Sequence, residues 1–175
     1  MTLSQPVDYE TTGLARRVGH ALLSAGLKVV TAESCTGGGV AAALTDVPGS
    51  SQWFERGYVT YSNAAKIQDL YVDPAALERL GAVSAGAVEQ MAAGALRASG
   101  ADVAVAVSGI AGPDGGTADK PVGLVFLAVV RRGNAVRVVH TQYPGNRAAV
   151  RHAAVVDALQ LILQAATPGG FNVVR

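Results

Sequence analysis

The stretch that decides the fold is Lys28-Val-Val-Thr-Ala-Glu33-Ser34-Cys35-Thr36-Gly37-Gly38-Gly39, which leads into the run Val40-Ala-Ala-Ala-Leu44. Its β-branched start predicts a strand, its small polar and glycine residues predict a tight turn, and the alanine-rich run predicts a helix. The N–H groups at a helix start point outward and attract anions, and glycines let a ligand approach the backbone closely. This arrangement could present a reactive group to a substrate.

Three side chains in the turn are candidates for chemistry, namely Ser34, Cys35 and Thr36. A hydroxyl or thiol beside unpaired N–H groups is suited to attack a carbonyl whose oxygen becomes negative. The alternative is structural: Ser34 or Thr36 could simply cap the helix, which is the commoner role of such residues. Cys35 could likewise be a small packed side chain.

Composition indicates one compact α/β domain. The chain has 175 residues, of which half are hydrophobic and 15% are charged, with a net charge of +1. No basic tract is present, which argues against nucleic acid as a partner. The single cysteine excludes an intrachain disulfide, and the polar start lacks a signal-peptide pattern, so we expect a cytoplasmic protein. The apolar run 122–130 is too short to cross a membrane, so we expect no membrane partner.

Helical and strand patterns alternate along the chain. Periodicity, capping residues and Gly/Pro breaks predict helices at 12–25, 40–44, 62–70, 74–80, 84–99 and 147–164, and strands at 28–32, 53–61, 101–107, 122–131 and 135–143. This order predicts a three-layer α/β/α sandwich on a mixed, mostly parallel sheet. We expect a single domain over 1–175 with its core at about 12–165, a loose N-terminal lead-in and a mobile tail from Thr167.

Three loops rich in glycine or polar residues follow predicted strands, at 34–39, 62–66 and 108–116. Ligands of α/β sheets bind beyond the carboxyl ends of parallel strands. If these strands are parallel, the loops converge on one cleft. The loop 108–117 matches neither the P-loop nor the dinucleotide-binding fingerprint, so those ligand sites are not predicted.

Lys66 is one of only three lysines and lies at the start of a predicted helix, where the helix dipole does not favour a cation. A lysine whose pKa is lowered there could serve a serine as general base, and Tyr61 could relay or orient a proton. The alternative is a solvated surface lysine beside an ordinary strand tyrosine.

Arg147 and Arg151 begin the last predicted helix. They could anchor a phosphate, or they could form a plain solvated face. The three histidines are not spaced as metal ligands, so no metal is expected.

Several stretches in fixed order resemble the CinA C-terminal domain family, whose enzyme members are nicotinamide-nucleotide amidohydrolases. They are Thr31-Ala-Glu-Ser-Cys-Thr-Gly-Gly38, Leu44-Thr-Asp-Val-Pro-Gly-Ser-Ser51, Arg56-Gly-Tyr-Val-Thr-Tyr-Ser-Asn63 with Ala65-Lys66, Gly81-Ala-Val-Ser84, Gly109-Ile-Ala-Gly-Pro-Asp-Gly-Gly116 and Lys120-Pro-Val-Gly123. The resemblance runs from about residue 14 to 163. The chain resembles the stand-alone form, without the additional N-terminal domain of larger members.

The resemblance implies hydrolysis of the carboxamide of nicotinamide mononucleotide to nicotinate mononucleotide and ammonia. It implies Ser34 as nucleophile, Lys66 as its base and Tyr61 as an assisting group, with no cofactor and no metal. The backbone N–H groups around Cys35 to Gly38 would form an oxyanion hole, and further groups of the cleft would contact the substrate. These implied binding residues are Cys35, Thr36, Gly37, Gly38, Ser108, Gly109 and Arg147.

Ser108 stands where many family members have threonine, so the hydroxyl is retained and a methyl group is missing. This difference leaves room for an amidase that acts on another small amide. A second alternative is a non-catalytic module that binds a nucleotide or a partner protein on the same fold. The alanine- and glycine-rich composition leads us to expect a homo-oligomer.

Overall fold

A computed structural model of the protein describes residues 9–170 and contains six α-helices, one short 3-10 helix (Ser50–Gln52) and five strands in that range. The helices are α1 (Tyr9–Ala25), α2 (Gly39–Thr45), α3 (Asn63–Leu70), α4 (Pro74–Leu80), α5 (Ala85–Ser99) and α6 (Arg147–Ala166). The strands are β1 (Val29–Glu33), β2 (Phe54–Val59), β3 (Val103–Gly109), β4 (Leu124–Arg131) and β5 (Arg137–Gln142).

The strands form one sheet in the order β2-β1-β3-β4-β5. β1 pairs in parallel with both β2 and β3, whereas β4 is antiparallel to β3 and to β5. β4 alone therefore runs against the other four strands, and two of the four pairings are parallel. The predicted mixed sheet, with most strands in one direction, is confirmed.

Helices cover both faces of the sheet. Alternate residues of β3 point to opposite sides: Val105 packs in the core with α1, α2 and α6, and Ala104 packs in the core with α3, α4 and α5. β1 and β3 are buried along both faces, which explains why their sequences are apolar without a polar alternation. The three-layer α/β/α sandwich is thus confirmed.

Polar side chains start four of the helices. The side chains of Ser62, Asp73, Ser84 and Asn146 each accept a hydrogen bond from a backbone N–H in the first turn of α3, α4, α5 and α6. Because these capping residues mark where the helices begin, most helix boundaries lie within a few residues of the predicted ones. The helix predicted at 12–25 begins earlier, at Tyr9, and the last helix continues to Ala166 rather than ending at Gln164.

The lead-in was predicted at 1–9, but Tyr9 begins α1; residues 1–8 of the lead-in and 171–175 of the tail lie outside the described residues. Within residues 9–170, no helix is both long and apolar enough to cross a membrane.

The carboxyl ends of β1, β2 and β3 meet at one edge of the sheet because these strands are parallel. Ser34 follows β1, Thr60 and Tyr61 follow β2, and Ser108 is the last residue but one of β3. The loops predicted at 34–39 and 108–116 converge there, whereas the third predicted loop, 62–66, forms the start of α3 and brings Lys66 to Ser34.

Candidate active site

A cleft of about 280 Å³ opens at this edge of the sheet, close to the lower end of the range for small-molecule sites. It is lined by residues that end or follow β1, β2 and β3, by the connection between α4 and α5, and by the start of α6. They are Ser34, Cys35, Tyr61, Ala82, Val83, Ser108, Gly109, Ile110, Ala111, Gly112, Asp114, Gly115 and Arg147.

Lys66 lies beneath the cleft and is completely buried, with an exposed fraction of 0%. Its Nζ donates hydrogen bonds to Ser34 Oγ at 3.1 Å, to the Thr60 carbonyl at 2.7 Å and to the Tyr61 carbonyl at 3.2 Å. Burial lowers the pKa of Lys66 below its usual value of 10.5. The alternative of a solvated surface lysine is wrong.

The three partners of Lys66 suit both protonation states of its amine. Two of them are carbonyl oxygens, which only accept, and the third is a hydroxyl, which can accept or donate. A neutral amine would donate to the carbonyls of Thr60 and Tyr61 and turn its lone pair to Ser34 Oγ. The Ser34 proton then has a direct path to Lys66.

Ser34 is held at the end of β1. Its N–H donates to the Val107 carbonyl of β3 at 2.9 Å, which extends the parallel ladder by one residue. The side chain is 9% exposed and lines the cleft. Neither Ser34 nor Thr36 caps α2, because the residue before that helix is Gly38, in a left-handed conformation, without a side-chain cap bond.

The turn after Ser34 leaves two backbone donors open. Gly37 N–H donates to the Ser34 carbonyl and Gly39 N–H donates to the Thr36 carbonyl. Among residues 9–170, the N–H groups of Cys35 and Thr36 donate no hydrogen bond to another residue. Of the four implied oxyanion-hole residues, Cys35 and Thr36 therefore have available N–H groups, and the N–H groups of Gly37 and Gly38 are engaged inside the turn.

The carboxylate of Glu33 organises the other side of the turn, and the sequence reasoning assigned it no role. It is fully buried and accepts from Thr36 Oγ1 at 2.7 Å and from the N–H groups of Gly38, Val40 and Ala41. A carboxylate is favourable at a helix start because it satisfies N–H groups that have no intrahelical partner. The sequence signal that could have indicated this role is an acidic residue at the end of a buried strand, shortly before a helix.

Cys35 contributes its backbone rather than its thiol. Burial raises the pKa of the Cys35 thiol to about 11, so the side chain is a neutral, packed group at physiological pH. The thiolate is the nucleophilic form of cysteine, which leaves Ser34 as the stronger candidate nucleophile.

Tyr61 and Arg147 meet at the rim of the cleft. The Tyr61 ring is 60% exposed, and its hydroxyl accepts a hydrogen bond from Arg147 Nη2 at 3.1 Å. Arg147 Nη1 donates to the Gly112 carbonyl at 2.9 Å. The backbone carbonyl of Tyr61, rather than its hydroxyl, therefore contacts Lys66, and the hydroxyl points to the exposed arginine.

Ser108 and Gly109 form the opposite wall. Ser108 is buried, and its hydroxyl donates to the Ala82 carbonyl at 2.8 Å. A Cβ at Gly109 would lie 2.6 Å from Val125 Cγ2 and 2.8 Å from the Leu124 carbonyl oxygen. Glycine at 109 is thus required by the close approach of β4.

Arg151 lies one turn after Arg147 but does not face the cleft. It is partly buried and donates from Nε to the Cys35 carbonyl at 3.1 Å and from Nη2 to the Thr36 carbonyl at 2.9 Å. Neither predicted role, phosphate anchor or solvated face, describes these contacts.

Within residues 9–170, no group of three or more His, Cys, Asp or Glu side chains is arranged to hold a metal ion. The titratable groups that line the cleft itself are Cys35, Tyr61, Asp114 and Arg147.

Comparison with known proteins supports one family over nearly the whole chain. The family model described as the CinA C-terminal domain matches residues 11–166. A protein of Pseudomonas putida named nicotinamide-nucleotide amidohydrolase is 54% identical over 156 residues, which cover 89% of this chain and 97% of that protein. A protein of Enterobacter agglomerans with the same name is 53% identical over 151 residues, which cover 86% and 92%.

Among solved structures, the competence/damage inducible protein CihA of Agrobacterium tumefaciens superposes with a TM-score of 0.89 at 45% identity. The match covers 95% of this chain and 100% of that one. The sheet, the cleft and these relatives agree, and the chain belongs to the CinA C-terminal domain family.

Proposed function

We propose that the protein is an amidohydrolase that converts nicotinamide mononucleotide to nicotinate mononucleotide and ammonia, with Ser34 as nucleophile and Lys66 as base. The observation that carries the proposal is the 3.1 Å contact between Ser34 Oγ and a fully buried Lys66 Nζ at the base of a small cleft. The substrate follows from the names of relatives more than 50% identical to this chain.

The first step forms an ester between Ser34 and the nicotinoyl group. Ser34 Oγ attacks the carboxamide carbon while its proton passes to neutral Lys66 Nζ. The carbonyl oxygen becomes negative and accepts hydrogen bonds from the N–H groups of Cys35 and Thr36. Lys66 then returns the proton to the amide nitrogen, the C–N bond breaks, and ammonia leaves.

The second step repeats the chemistry with water. Lys66 removes a proton from water, whose oxygen attacks the ester carbon, and the same N–H groups stabilise the second oxyanion. The bond to Ser34 Oγ breaks, Lys66 returns the proton to that oxygen, and the carboxylic acid product ionises. In this scheme Lys66 supplies the leaving-group proton, and Tyr61 assists through its contacts to Lys66 and Arg147.

Arg147 provides the group best suited to the phosphate of the substrate. Its guanidinium is exposed at the cleft rim, at the start of α6, and charge-assisted hydrogen bonds to phosphate are among the stronger ones available. The wall formed by Ser108 and Gly109 faces the remaining part of the nucleotide in this proposal.

The test is ammonia release from nicotinamide mononucleotide by the parent, Ser34→Ala and Lys66→Met. We expect each variant to lose at least about 10³-fold in kcat, because the nucleophile and its base act as one unit. Lys28→Met is the matched control, since Lys28 lies before β1, at the opposite edge of the sheet, and pairs with Glu55. Full activity of Ser34→Ala would refute the mechanism.

The same experiment separates the alternatives. A parent that releases ammonia from other small amides but not from the nucleotide would indicate a different amidase. A parent that binds the nucleotide without turnover would indicate a binding module.

A further inference from the structure

We propose that Arg151 is a positioning residue that aims and polarises the oxyanion-binding N–H group of Thr36. The inference rests on the proposed function, because it assigns a task to a residue outside the cleft in that reaction. It starts from an interruption in the hydrogen bonds of the turn that follows Ser34.

The turn follows a regular pattern with one position missing. Gly37 N–H donates to the carbonyl three residues earlier, that of Ser34, and Gly39 N–H does the same to that of Thr36. The N–H of Gly38 should reach the Cys35 carbonyl in the same way. It donates instead to Glu33 Oε2 at 3.1 Å.

Arg151 supplies the missing donor. Its Nε donates to the Cys35 carbonyl at 3.1 Å, and within residues 9–170 this carbonyl has no other hydrogen-bond donor. Its Nη2 donates to the next carbonyl, that of Thr36, at 2.9 Å. The rigid fork of one guanidinium thus holds two successive carbonyls on the side of α6.

The hydrogen bond from Arg151 to the Cys35 carbonyl fixes the direction of one oxyanion donor, the N–H of Thr36. In a trans peptide the N–H points opposite to the C=O of the same unit. The Cys35 carbonyl and the Thr36 N–H belong to the same peptide unit. Because the carbonyl accepts a hydrogen bond from Arg151, the N–H points away from the Arg151 guanidinium. The two residues before Thr36, Ser34 and Cys35, line the cleft, and the Thr36 N–H has no acceptor among the described residues.

The charge of Arg151 adds to the geometry. A cation that bonds a carbonyl oxygen polarises the whole peptide, which makes its N–H a stronger donor to a developing oxyanion. Arg151 is partly buried, so this effect is less screened than at the surface. The same arginine offsets the negative ends of two carbonyl dipoles that lie near the nucleophile.

The test compares Arg151→Lys and Arg151→Met with the parent for ammonia release from nicotinamide mononucleotide. Loss of one oxyanion donor costs about 10²–10³ in kcat in other enzymes, and we expect a fall of roughly 10- to 100-fold in Arg151→Met with KM changed less than about threefold. Arg151→Lys keeps the charge without the fork and should lie between the two. Arg137→Met is the matched control, because the Arg137 side chain donates a hydrogen bond to Gln164 near the other end of α6.

A purely structural role predicts another pattern. In that case the Arg151 variants would unfold at lower temperature but retain the parent kcat well below the transition, and this result would overturn the inference. A fall in kcat at a temperature where circular dichroism shows a folded variant supports it. A rise in KM at unchanged kcat would also overturn it, because that result assigns Arg151 to substrate binding.

A second readout does not depend on the identity of the natural amide. A fluorophosphonate reacts with an activated serine: Ser34 Oγ bonds phosphorus, fluoride leaves, the Ser34 proton goes to Lys66, and the phosphoryl oxygen occupies the oxyanion hole. We expect phosphonylation of Ser34 to slow at least about tenfold in Arg151→Met, since oxyanion stabilisation is reduced. Equal labelling rates would refute the inference, whereas a parent that releases no ammonia would count only against the proposed substrate.

Discussion

At the scale of single residues, the candidate chemistry depends on a lysine that is buried without a counter-ion. Among residues 9–170, the recorded ion pair joins Lys28 to Glu55, and Lys66 has only carbonyl and hydroxyl partners. Desolvation disfavours the ammonium form and lowers the pKa of Lys66. The same burial that destabilises the charged lysine thus prepares it to accept a proton.

The pH dependence of the reaction tests this residue. Because Lys66 must be neutral to accept the Ser34 proton, we expect kcat/KM to rise with pH and to level off above the lowered pKa of Lys66, below pH 10.5. Lys66→Arg keeps the charge but cannot deprotonate, so its activity should fall at least about 100-fold at every pH. A profile without an ascending limb, or an active Lys66→Arg variant, would argue against the base role.

At the scale of elements, two helix interiors contain glycine for different reasons. In α5, a Cβ on Gly94 would overlap sterically with the backbone carbonyl oxygen of Leu70, the last residue of α3. In α1, nothing lies within 4 Å of the Cβ position of Gly13, which is exposed. Gly94 permits the close contact between α5 and α3, the helix that carries Lys66, whereas Gly13 has no packing role.

This contrast gives a paired prediction for stability. Gly94→Ala should destabilise the fold by about 1–3 kcal/mol, because a backbone carbonyl cannot move aside and the helices must separate. Gly13→Ala should stabilise it by about 0.5–1 kcal/mol through helix propensity alone. Urea unfolding of both variants measures these changes, and equal effects of the two substitutions would contradict the packing argument.

The whole molecule shows what a single sequence can predict. Apolar runs, caps and glycine breaks predicted the elements because those signals are local, and the order of elements predicted the layers. The convergence of Ser34, Lys66 and Ser108 followed from parallel strands. The contacts of Arg151 were not predicted, because its partners lie 115 and 116 residues away and are carbonyls, which every residue has. The homo-oligomer and the cytoplasmic location stay predictions.

The burial of Lys66 should also be measurable in the stability of the whole protein. The pKa of Lys66 is lowered in the folded state and is near 10.5 in the unfolded state, so between these two values the unfolded chain binds more protons. The contribution of Lys66 to the free energy of unfolding therefore increases as pH rises through this window, by up to about 1.4 kcal/mol per pH unit. The contribution is complete above pH 10.5 and is lost as pH falls through the folded-state pKa.

Lys66→Met isolates this contribution, because the remaining titratable groups are common to both proteins and Met fills a similar volume. We expect the unfolding free energy of the parent minus that of Lys66→Met to increase with pH, as measured by urea denaturation between pH 7 and about 10. Lys28→Met is the control: hydrogen bonding to Glu55 raises the pKa of Lys28 above 10.5, so the contribution of Lys28 to stability should not change with pH between pH 7 and about 10. If the unfolding free energies of the parent and Lys66→Met changed in parallel over this range, Lys66 would have the same proton affinity in the folded and unfolded states. Burial could then not be the reason that the folded protein holds a neutral Lys66 amine.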